Sequence, residues 1–441
     1  MPFKELTNGD DVYTGTAEVD HVYAYAGNDI VHGAGGDDHI YGYEGNDTLY
    51  GDDGHDELEA GDGNDVLYGG SGDDYLAGDF FAPGSSIIYQ DTNYLYGGAG
   101  DDRYLVISSN DIIDESVAGS NGYDTVNTYI SFDLASPSVK GTIEVLKLYG
   151  DNNLNGTGNA VNNRIFGNPG NNVLDGGAGN DEIHGNAGND TVIGGAGDDL
   201  LLGDDTSTNG PLGDDKIYGN AGNDRLLAQR GNDYLDGGTG IDTLEGGAGN
   251  DVYIVSSTGD RTIELSGEGT DTVRSDVDWI LAANVERLEL LGTADLTGNG
   301  NTLNNTLVGN DGKNILRGGA GNDTLNGGKG SDTLVGGAGN DTFVFNKPLG
   351  STNIDKITDY NVAQDTMQLD NAYFTNTGAG YLSAAAFHIG TGAHDASDRI
   401  IYNSTTGDLL FDKDGAGGAA AMKFASLSPG LALTANDFFL V

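Results

Sequence analysis

The sequence has no cysteine, one tryptophan and seven prolines in 441 residues. Without thiols there is no disulfide framework, no thiolate metal ligand and no thiol catalysis. Basic residues are scarce: 19 Lys and Arg stand against 69 Asp and Glu, a formal charge of −50. Phosphate recognition needs clustered cations, so no nucleic-acid partner is expected. An anionic membrane repels such a chain for the same reason. No apolar run approaches the roughly 20 residues of a spanning helix, so no membrane span is expected. The opening residues, MPFKELTNGDD, hold one lysine and no apolar stretch. They do not read as an N-terminal signal peptide.

Glycine is abundant, with 75 residues. Acidic, Gly-rich composition alone suggests disorder, but the order of the residues argues against it. In GNDTLYGDDGHDELEAGDGNDVLYGGSGDDYL, residues 45–76, an aspartate stands at every ninth position: Asp47, Asp56, Asp65 and Asp74. A glycine precedes each by two residues and a leucine follows each by two. A disordered tract has no reason to keep that spacing.

The first block holds Asp11, Asp20, Asp29, Asp38, Asp47, Asp56, Asp65 and Asp74, with one further repeat at Asp102 after an irregular stretch. The second holds Asp181, Asp190, Asp199, Asp215, Asp224, Asp233, Asp242 and Asp251, interrupted by DDTSTNGPLG. The third holds Asp323, Asp332 and Asp341. Blocks two and three open with asparagine in the aspartate position: Asn163 and Asn172, then Asn305 and Asn314.

A period of nine fits neither a plain helix nor a plain strand, so a supersecondary unit repeats. Each unit reads as a Gly-rich turn and about three extended residues, with the apolar side chain pointing inward. Two units make one coil, and stacked coils place aspartates 18 apart above one another: Asp29, Asp47 and Asp65 on one edge, Asp38, Asp56 and Asp74 on the other. Unit charges about 5 Å apart repel by roughly 1 kcal/mol in water and by about 3 kcal/mol at an effective dielectric near 20. Such ladders need a cation between the turns. Carboxylates and turn carbonyls are hard oxygen ligands, which selects Ca²⁺ over Mg²⁺.

GGAGNDEIH, GGAGNDTFV and GGSGDDYLA follow the pattern GGxGxDxUx, and on these repeats the chain resembles the RTX (repeats-in-toxin) calcium-binding proteins. The resemblance implies an all-β fold, a right-handed parallel β-roll in three blocks. Multiple Ca²⁺ ions would be held by the aspartates named above and by main-chain carbonyls. The carry-over is weaker at Asp20, where Glu18 replaces the glycine, and does not extend cleanly to the four asparagines. The expected organisation is a first roll at 1–78, a loop and closing repeat at 79–106, and a β-rich spacer at 107–154. A second roll follows at 155–255, a duplicate spacer at 256–296, and a third roll at 297–345. IEVLKLYGDNNLNGTGNAVNN and VERLELLGTADLTGNGNTLNN carry the duplication. The spacers read as strands continuing the solenoid without metal, and Trp279 as a packed residue.

Residues 346–441 resemble the C-terminal module of serralysin-type secreted proteases. Within them IIYNSTTGDLLF reads as a hairpin. The module implies a type I secretion signal, with the terminal pattern Asp437, Phe438, Phe439, Leu440, Val441. An ABC transporter is then the partner during export, and the location is extracellular. A matrix or cell-surface partner is expected outside.

No catalytic residues are expected. His21, His32, His39, His55, His184, His388 and His394 nowhere form HExxH, and there is no GxSxG. DKDG at 412–415 lacks the rest of an EF-hand loop and reads as a turn. The repeats start by Asp11, leaving no room before them for the separate catalytic domain of RTX enzymes. The expected function is a secreted, multi-site calcium-binding protein that folds on Ca²⁺ after export and serves a structural or interaction role. The alternative is a secreted RTX enzyme (protease, lipase or polysaccharide-modifying) whose catalytic residues carry no readable motif. A pore-forming toxin would need an apolar helical region, which is absent.

Overall fold

The computed structural model describes residues 3–80, 90–117, 119–204 and 213–441. It divides into two units, Met1–Arg230 and Gly231–Val441. Among the described residues almost every element is a short strand, and the only helical pieces are two 3₁₀ turns.

In the first unit the chain alternates between faces of a parallel β-roll. One face stacks Phe3–Glu5, His21–Tyr23, His39–Glu44, Glu57–Asp62 and Tyr75–Ala77, and continues through Arg103–Val106, Thr125–Thr128, Val145–Leu148 and Arg164–Phe166 to Arg225–Arg230. The other stacks Val12–Thr14, Ile30–His32, Thr48–Asp53, Val66–Ser71, Tyr94–Ala99, Ile112–Asp114 and Val139–Lys140. A third set, Phe132–Asp133, Asn155–Thr157, Val173–Ala178, Thr191–Ala196 and Lys216–Ala221, takes over after the spacer. Register follows the repeat: Leu49 lies opposite Val31 and Leu67. The irregular stretch between Asp74 and Asp102, of which 81–89 lie outside the described residues, shifts the spacing without breaking the pairing, since Leu95 still faces Leu67.

The local reason is visible in Thr48–Asp53, TLYGDD. Alternation sends Leu49 inward, Tyr50 outward and Gly51 inward. Val22, Ile40, Leu58 and Leu76 on one face and Val31, Leu49 and Leu67 on the other are all fully buried and form the core of the roll. Outward rings stack as a ladder, with Tyr50 and Tyr68 centroids 4.8 Å apart. Some strands run three residues longer than the sequence pattern implies, because the backbone stays paired through the glycines.

The second unit repeats this construction. Tyr234–Asp236, Val252–Val255, Thr272–Ser275, Arg287–Leu290, Thr306–Val308, Thr324–Asn326, Thr342–Phe345 and Thr366–Leu369 stack in parallel. Trp279–Ile280, Thr297–Asn299, Ile315–Ala320, Thr333–Ala338 and Asp355–Ile357 stack on another face. Trp279 is packed, 7% exposed. The roll ends in a closing module. Ile400–Asn403 and Asp408–Phe411 form the expected antiparallel hairpin, which continues onto Met422–Ser426. The last strand, Phe438–Leu440, returns to pair in parallel with Thr366–Leu369. Asp437, Phe438 and Leu440 are buried, Phe439 is half-buried and Val441 is exposed. Tyr360 donates its hydroxyl to Asp437 Oδ1 at 3.1 Å. Asp412 to Gly415 is a bend.

Candidate metal centres along the turns

The turns place the grid aspartates in continuous ladders. Asp29 N donates to Asp47 Oδ1 at 2.8 Å, and Asp47 N to Asp65 Oδ1 at 2.7 Å. On the opposite edge Asp38 N donates to Asp56 Oδ1 at 2.7 Å, and Asp56 N to Asp74 Oδ1 at 2.8 Å. The later blocks keep the rule at Asp181–Asp199, Asp190–Asp215, Asp199–Asp224, Asp233–Asp251 and Asp323–Asp341. Asp242 and Asp332 donate in the same way to Asp260 and Asp355. One carboxylate oxygen of each pair therefore builds the solenoid.

The other oxygen has no such task. Oδ2 of Asp29, Asp38, Asp47, Asp56, Asp65, Asp74, Asp102, Asp181, Asp190, Asp199, Asp323 and Asp341 is buried without a hydrogen-bond partner. At most of these turns it hangs over a buried glycine five residues earlier, and at Asp29 and Asp65 that place is held by the buried Ala24 and Ala60. A Cβ on Gly51 would fall 2.6 Å from the Gly69 carbonyl oxygen and closer still to Asp56 Oδ2. Gly176 is similar, 2.6 Å from the Gly194 oxygen and against Asp181 Oδ2. A carboxylate oxygen and a carbonyl oxygen from the next coil thus converge on a tight cradle floored by glycine, or by alanine at Asp29 and Asp65. A buried anionic oxygen without a partner is costly, and this donor set is the one a hard divalent cation takes. The residues fit Ca²⁺.

Electrostatics give the same answer. Burial, with repulsion from neighbouring aspartates, pushes Asp47 and Asp56 up to about 6 and Asp65 and Asp74 up to about 8. Without a cation these groups keep their protons to a higher pH than a free aspartate does.

The two leading positions differ. Thr7 donates from its backbone and its hydroxyl to Asp11 Oδ2, both at 2.7 Å. Thr16 does the same to Asp20 Oδ2 at 2.6 and 3.0 Å. Asp11 is also only half-buried. The histidines of the repeats lie on the outer strands and turns: His21 stacks on His39, and His32 on Tyr50. His394, Asp395 and Asp398 cluster in the closing module. There Asp398 Oδ2 accepts from the His394 and Asp395 backbones, which makes the group a turn.

The family model for the RTX calcium-binding nonapeptide repeat (4 copies) matches residues 6–40, 23–58, 50–82, 90–106, 157–192, 175–206, 212–235, 228–257, 299–334 and 308–343. These segments cover more than half of the chain. The chain belongs to the RTX calcium-binding repeat family. Its repeats bind Ca²⁺, and its fold is the parallel β-roll. Two solved structures are similar to parts of it. One is the solution structure of the AlgE6R3 subunit from the Azotobacter vinelandii mannuronan C5-epimerase, 27% identical, covering 34% of this chain and 80% of that one, with a TM-score of 0.24. The other is a hyperactive, Ca²⁺-dependent, β-helical antifreeze protein from an Antarctic bacterium, 17% identical, covering 81% and 86%, with a TM-score of 0.17. No curated protein matches the chain. Among the described residues no helix is long and apolar enough to cross a membrane.

This RTX chain carries its acid ladder further than the glycine grid indicates. Asp65 N donates to Asn93 Oδ1, and Asn93 N to Asp111 Oδ1. Asp74 leads to Asp102, Asp102 to Asp124, and Asp124 N to Glu144 Oε2. In the second unit Asp251 leads to Asp271, and Asp271 to Glu286. Asp341 leads to Asp365. The spacers therefore continue the ladder of carboxylates as well as the strands. The signal was present as Asp-x-apolar: Asp111 with Ile113, Asp124 with Val126, Asp271 with Val273, Asp365 with Met367. Asp111 and Asp365 lack the glycine two residues earlier, and Asp124 and Asp271 have it but stand off the nine-residue spacing.

Proposed function

We propose that the protein is exported through a type I ABC transporter and folds outside the cell when Ca²⁺ fills its turns. In this reading the aspartates named in the sequence are the ligands. The observation that carries it is the run of buried, partnerless Oδ2 atoms facing glycine cradles. Where calcium is scarce, the aspartates repel across each coil and keep the chain extended and exportable. Bound Ca²⁺ supplies charge compensation and a bridge between neighbouring coils. Sites of the extracellular class, with dissociation constants of about 10⁻⁴–10⁻³ M, fill only outside. Binding free energy then becomes folding free energy. The C-terminal strand suits this order of events. Asp437, Phe438 and Leu440 are buried once the module closes, so a transporter reading Asp437 to Val441 must do so before folding.

We read the folded protein as a structural or interaction module with an extracellular matrix or cell-surface partner, not as an enzyme. Its many carboxylates are committed to turns and ladders. Far-UV circular dichroism in chelator and in millimolar Ca²⁺ tests the folding claim: a β signal that appears only with calcium is expected, and an identical signal in both overturns it. Screening the calcium-loaded protein on protein, ester and uronate substrates tests the second claim, with reproducible turnover as the contrary result.

A further inference from the structure

In the roll, cradle glycines such as Gly51, Gly176 and Gly318 face the carboxylate of their own turn and the carbonyl of the small residue one coil on, which is alanine beyond Gly42 and Gly203. Gly246 departs from this rule. The position one coil beyond it is held by Glu264, a side chain in place of a glycine. The glutamate turns inward and is 6% exposed. The hydroxyl of Tyr253, fully buried, donates to Glu264 Oε1 and accepts from Gly246 N at 2.8 Å. Glu264 Oε2 has no hydrogen-bond partner, and neither has Asp271 Oδ2.

Asp251, Glu264 and Asp271 each offer an oxygen, and these atoms lie within 4.8 Å of one another. All three residues are buried. The charges acting on Glu264 come from Asp271, Asp251 and Glu268, all negative. We infer that Asp251, Glu264 and Asp271 form a calcium site of a second kind, in which a glutamate carboxylate takes the place of the missing glycine carbonyl. The site lies where the regular repeats give way to the spacer. A roll coil can end there without leaving its last aspartate facing an empty cradle. Three carboxylates in place of fewer carboxylates and more carbonyls raise the ligand charge, which raises calcium affinity.

The first unit carries the same substitution. Glu115 lies 18 residues beyond Gly97, which donates to its Oε1 at 3.1 Å. Tyr104 donates its hydroxyl to the same oxygen, and Asp102 and Asp124 flank it in the ladder. Two separate stretches of the chain thus place Asp, Tyr, Glu and Asp in one order.

The test is anomalous diffraction from crystals of the full chain grown in calcium. A calcium peak bonded to Asp251, Glu264 and Asp271 is expected. Peaks in the roll turns with only water or a protonated Glu264 at this cluster would overturn the inference and leave the proposed function intact. Peaks missing from the roll turns as well would overturn both. In solution, Glu264→Gln should bind one Ca²⁺ fewer per chain by equilibrium dialysis, with the calcium-induced β signal retained. Unchanged stoichiometry would count against the site. If the variant does not fold, the wild-type diffraction result decides.

Discussion

The aspartate turns and the asparagine turns share one backbone and close it differently. At Asp323 one oxygen accepts from Asn305 N at 2.7 Å while the other is buried without a partner. At Asn305 the side-chain oxygen accepts from Asn301 N at 2.7 Å, and the amide donates to the Val285 carbonyl at 3.1 Å. Asn163 is built the same way, its amide reaching the Ile143 carbonyl at 2.9 Å. The amide NH₂ takes over the role that a cation plays beside a carboxylate: it satisfies carbonyl oxygens without adding charge. Each later roll therefore starts on turns whose amides already satisfy the carbonyl oxygens and continues on turns that leave a buried carboxylate oxygen without a partner.

Chelation should break this comparison most visibly. At pH 7.5, hydrogen exchange in chelator should strip amide protection from the coils around Asp29 to Asp74. Protection should survive longest at residues 155–172 and 297–314, and equal loss everywhere would contradict the distinction. Acid comes next. The raised values at Asp47, about 6, and Asp65, about 8, mean that the folded turns hold protons the unfolded chain releases. Without metal, that stability is fully present below the unfolded value near 3.8 and is lost as pH rises through 6 to 8. Circular dichroism in chelator should show β structure returning as pH falls from 8 to 4. In millimolar calcium the dependence should reverse, because protons compete for the ligand oxygens.

Single substitutions sharpen the contrast. Gly51→Ala puts a methyl group into the cradle of Asp56. It should cost about 1–3 kcal/mol by overpacking and weaken calcium binding at that turn, read by thermal melts and calcium titration. Asn305→Ala strips the amide from a buried turn and should cost about 1–3 kcal/mol equally with and without calcium. Asn305→Asp should instead make that turn calcium-dependent. The smallest effect belongs to the exposed asparagine ladder, where Asn64 N donates to Asn46 Oδ1 at 2.9 Å. Asn46→Ala should cost only about 0.5–1.5 kcal/mol by chemical denaturation, with no change in calcium stoichiometry.

Much of this architecture was legible from the spacing. Leu49, Leu58 and Leu67 were placed in the core because they follow their aspartates by two, and Asp47 was stacked beneath Asp65 because they stand 18 apart. The spacers were harder. Asp102 reaches Asp124 after 22 residues and Asp251 reaches Asp271 after 20, so a fixed period loses them. Glu115 and Glu264 carry no repeat signature at all.

The sequence by itself determined the coil, the inward column and the two acidic edges, since a strict period forces identical residues onto identical places. Only the tertiary structure decided which oxygens are left over and which are already hydrogen-bonded. That depends on where the next coil's backbone comes to rest: Thr7 and Thr16 cap the first carboxylates, asparagine amides close the opening turns, and Glu264 fills a place that periodicity reserves for glycine.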